Sequence, residues 1–284
     1  MGEESSGTVS VEGATLKYVI EGEGIPCVII GSSIYDSRAF SNKLRKHFKC
    51  IFVDARHFGK LDPQLKIENV TLGTYLDDIE QVQIALNLGK ICILGHSMHG
   101  LLALEYALKY PQNTSQVIMI GIVPVAFPKI IEASAEFWEF DASEERKKIL
   151  KKNQDKRGED ISKMPPDKAF VQSYIANAPL YWYDPTYDCS WLWEGVEPNA
   201  NLANHVFGVL FQDYDITDRI HQIKTPVFLA LGRYDYMVPY TLWDNFKDKM
   251  PNLSYNLFER SGHTPQLEEQ ALFDEKLIDW IKRH

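Results

Sequence analysis

Cysteine is scarce in this chain. Its four cysteines, Cys27, Cys50, Cys92 and Cys189, are spread through 284 residues. That is too sparse for a disulfide framework and fits a reducing, cytoplasmic compartment. Three of them lie in or beside apolar runs and read as small buried hydrophobes. No apolar run is long enough to span a bilayer. The opening residues Met1 to Ser6 have no basic stretch and no apolar core, so no signal peptide is expected. They match the Met-Gly-x-x-x-Ser acylation pattern formally, but beside Glu3 and Glu4 a solvated tail is the plainer reading. Positive charge is also in deficit. With Lys+Arg 30 against Asp+Glu 39 the formal charge is −9, which speaks against nucleic acid or an anionic membrane as partner. Internal repeats and low-complexity segments are absent. Gly22 and Gly24 lack the third glycine and following helix of a dinucleotide loop. The apolar share of 45% is ordinary for a globular chain that buries one core.

Against this background one segment stands out. Ile91 to Leu94 are apolar and fit a buried strand, a long amphipathic stretch begins at Met98, and between them lie Gly95, His96 and Ser97, with Gly100 just beyond. A strand, a serine among glycines and a helix describe a nucleophile elbow, a turn so sharp that the serine hydroxyl is presented to a substrate. Gly95 stands where a side chain would strike the turning backbone, and the serine is expected at strained dihedrals. The alternative, an ordinary strand-end serine, needs neither glycine.

An alcohol is a weak nucleophile at neutral pH. It needs a base, and the base needs an orienting acid. Both are found downstream in the order Ser, Asp, His. Thr225 to Gly232 reads as a buried strand with Asp235 just past its end. Leu253 to Arg260 reads as another, leading to Ser261, Gly262 and His263. Asp213, Asp215 and Asp218 are rivals for the acid but precede their strand instead of ending it. In open parallel sheets the carboxyl ends of strands line the ligand crevice. His96 and His99 are spaced as a possible metal pair, but no cluster with metal-ligand spacing supports them, so no metal or other cofactor is expected.

With these segments the chain resembles the α/β-hydrolases of the single-domain, lidded kind. Leu16 to Gly24 resembles their opening hairpin, and Asp54-Ala-Arg56-His57-Phe58-Gly59 their Asp-x-Arg-Gly-x-Gly loop. Gly232 to Asp235 with Val238-Pro239, and Ser261 to His263, resemble their acid and base segments. The resemblance implies Ser97 as nucleophile, His263 as general base and acid, and Asp235 as the group that orients the imidazole. It implies an oxyanion hole made by the backbone N–H of Met98 and one from the loop Gly31-Ser32-Ser33-Ile34, assigned to Ser33. Two departures stand out: Gly31-Ser32 replaces the usual His-Gly, and His99 replaces a small residue.

Strands alternating with helices imply a mostly parallel, doubly wound sheet. Helices are expected over Ser37–Phe48, Thr71–Leu88, Met98–Tyr110, Thr241–Lys249 and Glu268–Arg283. In Thr71–Leu88 the apolar positions Leu76, Ile79, Val82, Ile84 and Leu86 suggest burial. The alternation fails between 124 and 215. Residues 1–123 and 216–284 are therefore expected to form the core, and 124–215 a helical lid inserted after the sixth strand. Over half of residues 141–168 are charged, which reads as a solvated helical face. Aromatic residues follow, and Trp182 and Trp191, with His99, are candidate substrate contacts. The expected function is cleavage of a small-molecule carboxylic ester through an acyl-enzyme. Two rivals remain. One is an aminopeptidase like the proline iminopeptidases, with Glu136 or Glu139 holding the substrate amine. The other is a ligand-binding receptor or partner protein built on the same fold.

Overall fold

Runs of Val, Ile and Leu without alternation make strands that are buried on both faces, and this chain has several. The computed structural model of the chain describes residues 5–284. The expected solvated tail at Met1 to Glu4 lies outside them, while Ser5 and Ser6 already belong to the first strand. β1 (Ser5–Val11) and β2 (Ala14–Glu21) form an antiparallel hairpin at one edge. β3 (Ile25–Gly31), β4 (Phe48–Asp54), β6 (Ile91–His96), β7 (Thr114–Ile120), β8 (Val227–Gly232) and β9 (Leu253–Phe258) are mutually parallel, and the two-residue β5 (Lys60–Leu61) pairs with β2. The nine-stranded sheet has the order β1-β2-β4-β3-β6-β7-β8-β9.

That order places the site. From β3 the chain crosses to β4 on one side, and later returns to β6 on the other. The carboxyl ends of β3 and β6 therefore flank a topological switch point, where ligand crevices form in such sheets. Alternate residues of each parallel strand feed two separate cores. Val28, Ile30, Ile93 and Val117 pack on one face, with side chains of α2 (Leu72–Ala85) and α3 (Met98–Lys109). Ile29, Phe52, Leu94 and Ile118 pack on the other, with α1 (Ser33–Ala39) and the C-terminal helix Gln270–Ile281.

Between β7 and β8 the chain builds only helices: α4 (Phe127–Asp141), α5 (Glu144–Ile161), α6 (Pro166–Ala176), α7 (Ala178–Tyr181), α8 (Ser190–Trp193) and α9 (Ala200–His205). This stretch follows the seventh strand in chain order, or the sixth if the two-residue β5 is left out. The described side chains of α5 are exposed or half-buried but for one, as its charge implies. Arg146 is the exception: it is buried and donates to the carbonyls of Pro179, Trp182 and Tyr183 at 2.8, 2.8 and 2.5 Å. Its guanidinium gathers the backbone around Trp182 into one unit, because five donors in a rigid fork can serve several carbonyls at once.

Local expectations needed four corrections. The helix expected at Ser37–Phe48 begins at Ser33 instead, because Ser32 caps it through Tyr35 N–H, and it ends at Ala39. The helix expected at Thr241–Lys249 is two 3₁₀ turns, Tyr240–Trp243 and Lys247–Lys249, lying between Pro239 and Pro251, with the Trp243 indole N–H donating to Ile122 O at 2.8 Å. Ile84 is exposed, since the buried stripe of α2 runs through Tyr75, Leu76, Ile79 and Val82. The last expected helix is broken after α10 (Pro265–Glu268) and resumes as α11 (Gln270–Ile281). All four cysteines are buried and free. Among the described residues no helix is long and apolar enough to cross a membrane.

The loop after β4 is held by a buried ion pair. Arg56, itself 1% exposed, meets Asp78 of α2 through Nε and Nη2 at 2.9 and 2.6 Å and donates to Glu12 O at 2.6 Å. Removing one member of such a pair strands the other charge in a dry interior. Asp78→Ala is therefore expected to cost about 3–5 kcal/mol of folding stability, read from urea unfolding followed by circular dichroism. A loss below about 1 kcal/mol would mean the pair contributes little here.

Candidate active site

The serine turn is built as its sequence demands. Ser97 follows β6 and caps α3 with φ 57° and ψ −137°, a left-handed backbone rarely tolerated by residues with a side chain. A Cβ on Gly95 would fall 2.0 Å from the carbonyl oxygen of His99, so only glycine lets the chain double back here. The Ser97 N–H is held by Ile120 O of β7 at 2.7 Å, which anchors the strained residue to the sheet. Met98 opens α3, so its N–H has no intrahelical acceptor.

Two more strand ends bring the acid and the imidazole together. His263 Nδ1–H donates to Asp235 Oδ2 at 2.6 Å, and the other carboxylate oxygen accepts from Met237 N–H and Val238 N–H at 3.0 and 2.9 Å. Asp235 is 1% exposed. The Nδ1–H bond fixes the tautomer and leaves Nε2 with its lone pair. His96 Nε2–H donates to the His263 carbonyl at 2.8 Å. Burial and the neighbouring His263 hold the His96 imidazole well below its usual pKa, so it stays neutral. The His263 N–H donates to Tyr181 O of α7 at 2.5 Å. Glu268 accepts from Gly262, Thr264 and Tyr183 N–H groups at 2.9, 3.2 and 2.6 Å. The segment bearing His263 is thus tied to the sheet and to the helical stretch at once.

Ser97, Met98, His99 and His263 all line one cavity of about 250 Å³, together with Ser32, Asp36 and His96. Its remaining walls are largely apolar or aromatic. They include Phe58 from the β4 loop, and Ile130, Phe170, Tyr174, Tyr181, Trp182 and Phe207 from residues between β7 and β8. Of the two tryptophans expected to contact substrate, Trp182 lines the cavity and is buried. Trp191 lies outside it, 38% exposed, with its indole N–H on Tyr187 Oη at 3.1 Å. It lies two residues before Trp193, which does line the cavity, and residues so spaced on a helix do not share a face. Glu136 and Glu139 are exposed and do not line the cavity, and Glu139 pairs with Lys147 at 3.5 Å. The cavity carboxyl is Asp36, which the sequence reading did not single out.

The oxyanion loop differs from its expected form. Ser33 N–H donates to Asp54 Oδ1 at 2.7 Å, and Ser33 does not line the cavity. The amide assigned to an oxyanion is therefore already committed to a buried carboxylate. Ser32 N–H is committed likewise, to Asp36 Oδ2 at 2.8 Å.

His99, the bulky residue in the elbow, is accommodated by His57. The two rings stack with 7° between planes and 5.3 Å between centroids, Nε2 to Nε2 at 3.4 Å, and His57 Nδ1 meets Tyr75 Oη at 3.0 Å. Burial lowers the His99 pKa to about 4 and keeps His57 well below its usual value, so His99 is a neutral part of the cavity wall, backed by a neutral His57. His57 stands where the resembling loop has glycine. The sequence thus carried two linked departures, and reading them as a pair would have found His57.

Comparison with known proteins follows this geometry. The family model described as "alpha/beta hydrolase fold" matches residues 29–270. The chain is 36% identical over 279 residues to the AB hydrolase superfamily protein YclE of Bacillus subtilis (strain 168), covering 98% of this chain and 99% of that protein. It is 25% identical over 231 residues to the proline iminopeptidase of Clostridioides difficile (strain 630), covering 73% of this chain and 71% of that protein. A thermophilic esterase from Thermogutta terrifontis superposes with a TM-score of 0.70 at 19% identity, covering 99% of each chain.

Asp36 provides a test of the electrostatics. Burial raises its pKa from 3.8 to about 7, opposed by the Ser32 N–H and assisted by nearby Asp54. A carboxyl with a raised folded pKa contributes stability that is complete below about pH 4 and is lost as pH rises through about 7. Asp36→Asn keeps an acceptor for Ser32 N–H without the ionisation. The variant is expected to gain on the order of 2 kcal/mol relative to wild type between pH 5 and pH 8. Paired urea titrations at the two pH values measure this, and an equal gap at both would refute it.

Proposed function

The chain belongs to the alpha/beta hydrolase fold family, and from that premise we propose that it is a serine hydrolase cleaving a small carboxylic ester or related acyl bond. Membership of that superfamily supports an enzyme. The observation that carries the finer reading is the hydrogen-bonded His263–Asp235 pair, whose imidazole opens into the same cavity as the strained Ser97.

In this reading Ser97 Oγ attacks the substrate carbonyl carbon while His263 Nε2 takes the hydroxyl proton. Asp235 holds the imidazole through Nδ1–H and stabilises the cation that forms. The Met98 N–H, at the N-terminus of α3, donates to the developing oxyanion. His263 then returns the proton to the leaving oxygen, an acyl-Ser97 remains, and water activated by the same imidazole releases the acid. The helical stretch 124–215 acts as a lid whose aromatic side chains exclude water and receive an apolar group of the substrate. Phe58, Phe170, Trp182 and Phe207 favour a compact hydrophobic or aromatic acyl or alcohol moiety.

Two observations weigh on the rivals. The likeness to a proline iminopeptidase keeps an aminopeptidase in view, but the glutamates expected to hold its substrate amine point to solvent. A binding protein has no need of a strained serine that shares its cavity with an imidazole hydrogen-bonded to a buried carboxylate.

Ser97→Ala is expected to lower kcat for p-nitrophenyl acetate by about 10⁴-fold or more, and a fluorophosphonate is expected to label wild-type Ser97 stoichiometrically by intact mass. Turnover by the alanine variant at the wild-type rate would end the assignment. An inert Ser97 would favour the binding protein. Faster cleavage of proline p-nitroanilide than of the ester would favour the aminopeptidase.

A further inference from the structure

Acyl transfer concentrates negative charge on the carbonyl oxygen, and such sites meet it with two preorganised donors. The Met98 N–H can supply one. The loop after β3 must supply the other, yet its first amides are spent on carboxylates: Ser32 N–H on Asp36 at 2.8 Å and Ser33 N–H on Asp54 at 2.7 Å. Tyr35 N–H goes to Ser32 Oγ at 3.3 Å and Asp36 N–H to Ser32 O at 2.9 Å. Neither Ser33 nor Ile34 lines the cavity. Freeing the Ser32 or Ser33 amide would leave a buried carboxyl oxygen short of a hydrogen bond, which is costly in a dry site.

Among the described residues, one donor of this loop both belongs to a residue lining the cavity and lacks an acceptor. The Ser32 side chain is 4% exposed, lines the cavity with Ser97, Met98 and His263, and uses its oxygen only to accept the long bond from Tyr35 N–H. Among the described residues its hydroxyl proton has no acceptor, and a hydroxyl can turn that proton without moving its oxygen. We propose that the Ser32 hydroxyl is the second oxyanion donor, taking the place of a backbone N–H; this rests on the reading of Ser97 as nucleophile.

The departure at Gly31 follows from the same arrangement. A Cβ at Gly31 would come within 2.1 Å of Asp36 Oδ2. The carboxyl that occupies the Ser32 amide is thus the one that requires glycine at position 31. The glycine, the occupied amide and the cavity-lining Ser32 belong to one arrangement. In the step itself the Ser97 Oγ–carbon bond forms, the Ser97 proton passes to His263 Nε2, and the carbonyl π pair moves onto oxygen. Ser32 O–H and Met98 N–H hydrogen-bond that oxygen, and Ser32 keeps its proton throughout. Collapse restores the carbonyl and expels the leaving oxygen, which takes the proton from His263.

The test uses Ser32→Ala, Ser32→Gly and Ser32→Thr in the full chain with p-nitrophenyl acetate. Ser32 also caps α1, and glycine at an N-cap costs only a few tenths of a kcal/mol relative to serine. The glycine variant therefore isolates the lost hydroxyl. Alanine and glycine are each expected to lower kcat about 10²-fold with KM within about threefold, while threonine holds kcat within about tenfold of wild type. Phenylboronic acid, whose serine adduct mimics the tetrahedral oxyanion, is expected to lose affinity in the alanine and glycine variants and keep it in the threonine variant. A glycine variant with wild-type circular dichroism and kcat within about threefold would overturn the proposal. Fluorophosphonate labelling of wild-type Ser97 separates the two failures. If Ser97 is labelled and Ser32→Gly retains full rate, only the hydroxyl donor falls. If Ser97 is inert, the hydrolase reading falls and takes this one with it.

Discussion

Everything in this cavity is arranged around a single backbone constraint, the left-handed φ of 57° at Ser97. That conformation costs roughly 1–3 kcal/mol for a residue with a side chain. It persists because its surroundings leave no alternative: the Ser97 amide is bonded to β7, and Gly95 allows the first turn of α3 to lie against the end of β6. Relaxing the turn would withdraw the hydroxyl from the cavity and pull α3 from the core that it shares with α2.

A second set of constraints fixes the imidazole. His263 is held at Nδ1 by Asp235, at its carbonyl by His96 and at its N–H by Tyr181, while Glu268 clasps the amides on either side. Glycines make these approaches possible. A Cβ on Gly262 would lie 2.1 Å from Tyr181 O, and one on Gly232 would lie 1.8 Å from Gly262 O. Three pieces of main chain from remote parts of the sequence therefore meet at van der Waals distance, and the imidazole inherits their rigidity.

The strands were legible from the sequence because strands buried on both faces read as unbroken Val/Ile/Leu runs, and the elbow, acid and base each follow one of them. The helices between strands were legible where an apolar stripe repeats, as in α2 and α3. They were misplaced where a cap or a proline pair decides the outcome, as at Ser32 and at Tyr240–Lys249. Of the side chains facing the cavity, Ser97, His263, His99 and Trp182 could be named in advance. Asp36 could not, because its place depends on the bond that the Ser32 amide makes to it, and His57, behind His99, is visible only when the two departures are read as a pair. Nor does any local pattern reveal that Asp54, 21 positions away, accepts from the Ser33 amide.

The bond from His263 N–H to the main chain of Tyr181 carries a consequence for how such a protein can diversify. The helical stretch that lines the cavity is not a detachable module, because one of its carbonyls is part of the scaffold beneath the imidazole. A chimaera that imports a foreign stretch keeps that imidazole in place only if the transplant delivers a peptide oxygen to the same point. The lining of the cavity and the placement of His263 are therefore inherited together.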